Sequence, residues 1–390
     1  MPIKVLGKER MTPMWKRTFR RIHRWLPAVC LPIWLLTLAA AVCHIVFVCN
    51  RSFADWFNEN ISHACRSFMA HLTGWIPFSL AETIILSLPV TVTVLLVVCI
   101  RKANRGKRYM VRVIAGLLAV LAVLYTLFVA TFAAGYRGTT VDRKLGLDRQ
   151  EVSAKELYET AMIVVKRLNI LADGVHFVQD TGSVPPYDHA ETVALCQDSY
   201  EKLAARYDFL PVLRAPVKQI TLSSLMTYTH ISGMYTYFTG EANLNTNYPY
   251  FVNVYTTAHE MAHQRGIARE NEANFLAYLV CIGSEDLYMQ YCGYLNMYEY
   301  LASPLYMASP ELYYKAAQSL DSRVRYDLQC YSDFFDKYRD NAAAEVSDAV
   351  NNTYLVLQGT AEGTRSYGMV VDLAVAYHLH MEKEYITGGE

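Results

Sequence analysis

Three long apolar runs occupy the first third of the chain. They lie at about residues 26–48, 78–100 and 113–136, and the first contains no Lys, Arg, Asp or Glu. Because about 20 apolar residues span the hydrocarbon core of a bilayer as a helix, the pattern predicts three transmembrane helices. A buried core helix or a cleaved signal peptide does not account for three such runs in succession. We therefore expect a membrane domain over residues 26–136.

Basic residues around these runs predict the orientation of the chain. Residues 1–25 contain eight Lys and Arg but one acid, Glu9, and the segment at 101–112 contains six Lys and Arg and no acid. The segment between the first two runs contains only two basic residues, Arg51 and Arg66. Positively charged loops stay in the cytoplasm. We therefore expect a basic cytoplasmic N-terminus at 1–25 and an extracytoplasmic domain at 137–390.

The pattern after residue 137 changes to that of a water-soluble domain. Ser153 and Glu156 form a capping box that opens an amphipathic helix. The segments VKQITLSSL and GMYTYFTG have the β-branched and aromatic character of strands, and the chain after Ser284 reads as mostly helical. The predicted fold class is α+β, mostly α.

Composition narrows the choice of partners. The formal net charge is zero, so no charge bias indicates a nucleic-acid partner. The nine cysteines include no C-x-x-C pair, which disfavours a cysteine zinc site. We expect small buried thiols. An external compartment would also permit disulfides among Cys196, Cys281, Cys292 and Cys330, and the sequence specifies no pairing.

The most specific motif is H-E-x-x-H, formed by His259, Glu260 and His263. On a helix, residues i and i+4 lie on one face, so both imidazoles can converge on one metal ion. A carboxylate beside the first histidine can accept a proton from a water molecule that attacks a carbonyl group. The motif predicts one zinc ion with His259 and His263 as ligands and Glu260 as the general base.

A catalytic zinc site usually has a third protein ligand and one open position. Glu270 would share a helical face with Ala273, Asn274 and Ala277. The small alanines would permit close approach to the histidine helix, and Asn274 could orient a ligand histidine. Glu272 would lie on the face that carries bulky apolar residues. We predict Glu270 as the third ligand, with Glu272 as the alternative.

Structural explanations compete with this hypothesis. H-E-x-x-H arises by chance, Thr257 with Glu260 fits a capping box, and Glu270 or Glu272 could complement a helix N-terminus. The downstream glutamates, the intervening Gly266 and the extended segments upstream favour the metal site.

Other candidate residues carry weaker signals. Tyr367 could donate a hydrogen bond to a developing oxyanion, and His230 could do the same. The segment at 237–243 could form a substrate-binding edge. Glu241, within that segment, is more readily structural.

The chain resembles a bacterial membrane-anchored family catalogued as domain of unknown function 3810. The resemblance rests on the apolar N-terminal helices and on the segments LTGWIPFSLAE, PVKQITLSSLMTYTHISGMYTYFTGEANLN, TTAHEMAHQRGIARENEANFLAYLVC and SYGMVVDLAVAY. It implies a gluzincin-type, zincin-like domain with His259, His263 and Glu270 on zinc and Glu260 as general base. The resemblance implies no substrate.

These observations predict a multi-pass cell-membrane zinc metallopeptidase that hydrolyses a peptide or amide bond. Its expected partners are the lipid bilayer and a peptide, protein or cell-wall amide substrate. Two alternatives stay open: a non-catalytic zinc-stabilised receptor or sensor domain, and a zinc amidase acting on cell-wall or small amide substrates. The oligomeric state is not indicated.

Overall fold

The computed structural model describes residues 25–102, 106–358 and 369–387. Helices α1 to α6 are Cys30–Cys49, Arg51–Phe57, His63–Gly74, Leu80–Arg101, Lys107–Thr131 and Val141–Lys144. A five-residue π-helical segment, Asn58–Ser62, joins α2 to α3. Helices α7 and α8 are Ala154–Leu171 and His189–Arg206.

The second half of the chain adds short strands and more helices. Strands β1 to β5 are His176–Val178, Gly182–Val184, Val217–Gln219, Gly233–Thr236 and Glu241–Leu244. Helices α9 to α16 are Ser223–Met226, Tyr250–Gln264, Glu270–Ile282, Leu287–Ala308, Pro310–Gln318, Ser322–Asp336, Ala342–Leu357 and Val370–Thr387. The mostly helical α+β class is confirmed, whereas the zincin-type arrangement stays a prediction.

Helices α1, α4 and α5 are long and apolar enough to cross a membrane, as the sequence predicts. Helices α1 and α5 pack together, and the hydroxyls of Thr37 and Thr126 lie 3.0 Å apart between them. None of the most apolar window of α4 is buried in the protein. The basic residues 1–24 lie outside the described part of the chain, so the orientation in the membrane stays a prediction.

A three-stranded sheet in the order β3–β5–β4 supports the second half of the chain. Central strand β5 pairs in parallel with β3 and antiparallel with β4, so that Tyr235 lies opposite Ala242. Strand β4 is an edge strand of this sheet. Strands β3 and β4 are shorter than the segments VKQITLSSL and GMYTYFTG that predict them. The chain enters α9 at Ser223, and β4 ends at Thr236.

Apolar faces of α7, α10, α11 and α12 meet in the main core. The capping box of Ser153 and Glu156 at the start of α7 is confirmed. Leu168, Phe275 and Leu295, from three of these helices, are fully buried. All nine cysteines are free, and Cys196, Cys281 and Cys292 belong to this core. The helix pair α10–α11 is therefore held rigidly from one side.

A buried ion pair joins the sheet to the membrane-length helix α4. Lys218 on β3 and Glu241 on β5 are in contact, and both are almost inaccessible to solvent. Glu241 also accepts hydrogen bonds from the backbone N–H groups of Leu80 and Ala81, the first residues of α4. Breaking a buried ion pair typically costs about 3–5 kcal/mol. Glu241 therefore has the structural role that the sequence favours.

Candidate metal centre

Helix α10 carries both histidines and Glu260. It begins at Tyr250, with Pro249 in the N-cap position. Thr257 consequently lies inside the helix, where its hydroxyl donates to the carbonyl oxygen of Asn253 at 2.8 Å. The capping-box alternative for Thr257 and Glu260 is therefore wrong, and the carboxylate of Glu260 does not cap this helix.

The histidine rings lie one helical turn apart and are nearly perpendicular to each other. The ring centroids of His259 and His263 are 4.6 Å apart and the ring planes are at 88°. Nδ1 of His263 lies 2.6 Å from the carbonyl oxygen of Ile267. Because a carbonyl only accepts, Nδ1 carries a proton, and Nε2 is the nitrogen that would bind a metal ion once the ring is neutral. Phe132 packs edge-on against this ring, with centroids 5.8 Å apart.

A tight turn brings a glutamate to the histidines. Helix α10 ends at Gln264, and Gly266 has a φ of 93°, which glycine adopts without strain. Helix α11 then begins at Glu270, whose Oε2 lies 3.3 Å from His259 Nε2 and 3.4 Å from His263 Nε2. The structure thus brings together the side chains of His259, His263 and Glu270, which lie within 11 residues of one another in the sequence and are the three predicted ligands.

The separations fit a metal ion. One donor atom from each of His259, His263 and Glu270 lies within 4.8 Å of the other two. Zinc–nitrogen and zinc–oxygen bonds of about 2.0–2.1 Å in a tetrahedron place neighbouring ligand atoms about 3.3 Å apart. Both histidine–glutamate distances agree with that spacing. Two imidazoles and one carboxylate are also a donor set that leaves a fourth position open.

The charges of these groups suit a cation. Burial favours the neutral imidazole, but the carboxylate of Glu270 raises the pKa of His263 to about 9. Burial likewise opposes ionisation of Glu270, yet its histidine neighbours lower the pKa of that carboxyl well below its usual range. A proton therefore occupies the space between carboxylate and imidazole in the metal-free protein. Metal binding would displace it.

Glu260 lies beside the three donor atoms without being one of them. It is 3% exposed, and its Oε2 has no hydrogen-bond partner. Burial raises the pKa of Glu260 to about 7, against the opposing effect of His259 and His263. A Cβ atom at Gly233 on β4 would lie 2.5 Å from Oε1, so the strand leaves room for this carboxylate only because position 233 is glycine.

Glu272 has different partners. Its Oε1 accepts from Arg269 Nη1 at 2.9 Å and from the backbone N–H of Val141 at 3.2 Å. Arg269 also donates to the carbonyl oxygens of Tyr136 and Gly138. Glu272 therefore anchors the segment that follows α5, and this geometry favours Glu270 as the ligand.

The remaining candidates are spread through the structure. Nδ2 of Asn274 and Nδ1 of His259 are both buried and have no hydrogen-bond partner. The orienting role of Asn274 therefore stays a prediction. Nε2 of His230 lies 2.7 Å from the carbonyl oxygen of Tyr338. Tyr237, the first residue of the segment at 237–243, lies after the end of β4 and packs against Phe128. Tyr367 lies outside the described residues.

An arginine from the segment between α1 and α4 supports the turn, and the sequence gives little sign of it. Arg66 is 1% exposed and donates to the carbonyl oxygens of Arg265 at 3.2 Å and Thr131 at 2.6 Å. Asn58 Nδ2 donates to the carbonyl oxygen of Gly266 at 3.1 Å. The turn between α10 and α11 is thus bonded to the segment that connects α1 to α4. The one available signal is that Arg66 is a lone charge in an uncharged stretch.

Comparison with known proteins identifies a family. The family model described as "Protein of unknown function (DUF3810)" matches residues 57–375, and the chain therefore belongs to that family. No curated protein and no solved structure matches it.

Proposed function

We propose that this DUF3810 protein is a membrane-anchored zinc hydrolase of the metallopeptidase type, with its site outside the cytoplasm. The observation that carries the proposal is the convergence of His259, His263 and Glu270 at the spacing of a tetrahedral zinc site. Zinc held there would act as a Lewis acid and lower the pKa of water to about 7.

The residues of the chain then divide the chemistry between them. His259, His263 and Glu270 would hold the ion. Glu260 accepts a proton from the water molecule as its oxygen attacks the amide carbon. The same carboxyl then gives that proton to the leaving nitrogen as the C–N bond breaks. The buried setting of Glu260 supports this role, because a raised pKa suits a group that must both accept and donate.

Glu260 also separates this proposal from a non-catalytic receptor. A purely structural zinc site has no use for a buried carboxylate with one oxygen, Oε2, that has no hydrogen-bond partner, because such burial costs free energy of desolvation. The proposal names no single class of amide. Peptides, proteins and cell-wall amides are the substrates to be tested.

Removal of the metal tests the proposed function. The full-length protein in proteoliposomes is incubated with quenched fluorescent peptides and with soluble cell-wall peptides, and amide cleavage is measured by fluorescence and mass spectrometry. We expect cleavage of at least one substrate, its loss after treatment with a zinc chelator, and its return on addition of zinc. Cleavage that survives complete removal of the metal would contradict the proposal. Zinc binding with no cleavage of any substrate would favour the receptor alternative.

A further inference from the structure

Helix α3, with the residue that follows it, presents an apolar stripe that none of the described residues covers. Phe68, Leu72 and Trp75 follow one another at intervals of four and three residues, and are 68%, 54% and 77% exposed. Residues at this spacing lie on one face of a helix. Exposed contiguous apolar surface of this kind marks a contact with another apolar body.

The opposite face of the same helix is built into the protein. Arg66, Ala70 and Thr73 are buried. Thr73 donates from its hydroxyl to the carbonyl oxygen of Thr239 at 3.2 Å, and Ala70 packs in a small apolar cluster. The helix is therefore fixed in orientation, and its apolar stripe points away from the sheet.

The stripe has no Lys, Arg, Asp or Glu beside it on its own helix, where the one exposed basic neighbour is His71. Arg66 is the only Lys, Arg, Asp or Glu between residues 60 and 81, and it is buried. A helix that faces water normally carries charged residues on its outer side. The outer side of α3 is therefore suited to an apolar surface and not to water.

The connections of α3 show which apolar surface is at hand. Trp75 and the exposed Phe78 immediately precede α4, whose long apolar body begins at Leu80. Tryptophan is enriched at the boundary between lipid and water, and apolar helix faces bury themselves there. The stripe is thus followed, within five residues of Trp75, by the exposed apolar surface of a membrane-length helix.

We propose that α3 lies along the membrane surface, with Phe68, Leu72 and Trp75 inserted among the lipid acyl chains of the adjacent leaflet. This contact goes beyond the proposed hydrolase function and does not depend on metal. Arg66 on the inner face donates to the carbonyl oxygen of Arg265, so this helix is bonded to the turn between α10 and α11.

Photolabelling of the unmodified chain tests the contact. The full-length protein is placed in vesicles of phosphatidylcholine and phosphatidylglycerol that contain a lipid with a diazirine in its acyl chain, and adducts are mapped by mass spectrometry. We expect adducts on residues 68–78. Ile170 on α7 is 65% exposed and serves as the matched apolar control, on which we expect none. Equal labelling at both sites, or none at 68–78, would overturn the proposal.

Tryptophan fluorescence provides a second measurement. One variant keeps Trp75 alone, with Phe at the other tryptophans, and a control variant carries Ile170→Trp with Phe at every native tryptophan. Lipids brominated in the acyl chain should quench most of the Trp75 emission and leave the control unchanged. Chemical cross-linking in the same vesicles tests for a second copy. Protection of Trp75 from quenching, together with cross-links between the α3 helices of two copies, would show that a second chain covers the stripe instead. Because neither measurement involves zinc or cleavage, this proposal can fail while the proposed function stands.

Discussion

Replacing Glu260 with glutamine is expected to abolish amide hydrolysis while leaving zinc in place. The amide has the size and shape of the carboxylate but cannot accept the proton of the attacking water. General acid–base catalysis contributes about 10²- to 10⁴-fold in rate, and the loss should fall in that range. Because Glu260 is not one of the three grouped donors, zinc content should match the wild type. Cleavage rate and bound zinc are measured on the same preparation.

The matched control is Glu159→Gln, which makes the same change on the exposed surface of α7. It should retain wild-type rate and zinc. Loss of zinc together with activity in Glu260→Gln would mean that Glu260 acts through the integrity of the site. Full activity in that variant would remove it from the mechanism.

Glu270→Ala and Glu272→Ala are expected to separate ligand binding from stability. Glu270→Ala removes one of three donors, so zinc affinity should fall by more than the roughly 10- to 100-fold typical of an outer-sphere substitution. Glu272→Ala should keep its zinc, because its carboxylate contacts Arg269 and Val141 instead. It should lower the free energy of unfolding by about 1–3 kcal/mol, since these buried hydrogen bonds are lost.

Competition with a coloured chelator measures zinc affinity, and thermal unfolding with and without that chelator measures stability. A ligand that binds only the folded state stabilises it. The chelator should therefore lower the unfolding temperature of the wild type and of Glu272→Ala, with little effect on Glu270→Ala. The reverse pattern would make Glu272 the ligand.

Much of the site follows from local sequence pattern. The spacing of His259 and His263, the turn at Gly266 and the distinct faces of Glu270 and Glu272 all depend on helical periodicity over a few residues. These features are predictable because each is determined by residues within about one or two helical turns of one another. The three membrane-length helices are predictable for another reason, the length of their uninterrupted apolar runs.

The features that the sequence does not predict depend on contacts between residues distant in the chain, which helical periodicity does not specify. Thr257 and Glu260 fit a capping box in the sequence, yet helix α10 begins earlier, at Tyr250, and its first turns are buried against the core. Arg66 meets Arg265 across 199 residues of sequence. The register of β5 depends on its pairing with β3 and β4, which its own sequence does not specify.

Zinc content of the purified full-length protein tests the central claim most directly. Wild-type protein, extracted in detergent and freed of loosely bound metal, should contain about one zinc per chain by mass spectrometry of the metal. His259→Ala combined with His263→Ala should contain none, while the exposed pair His71→Ala with His176→Ala should match the wild type. Stoichiometric zinc retained in the His259/His263 variant, or no zinc in the wild type, would contradict the account.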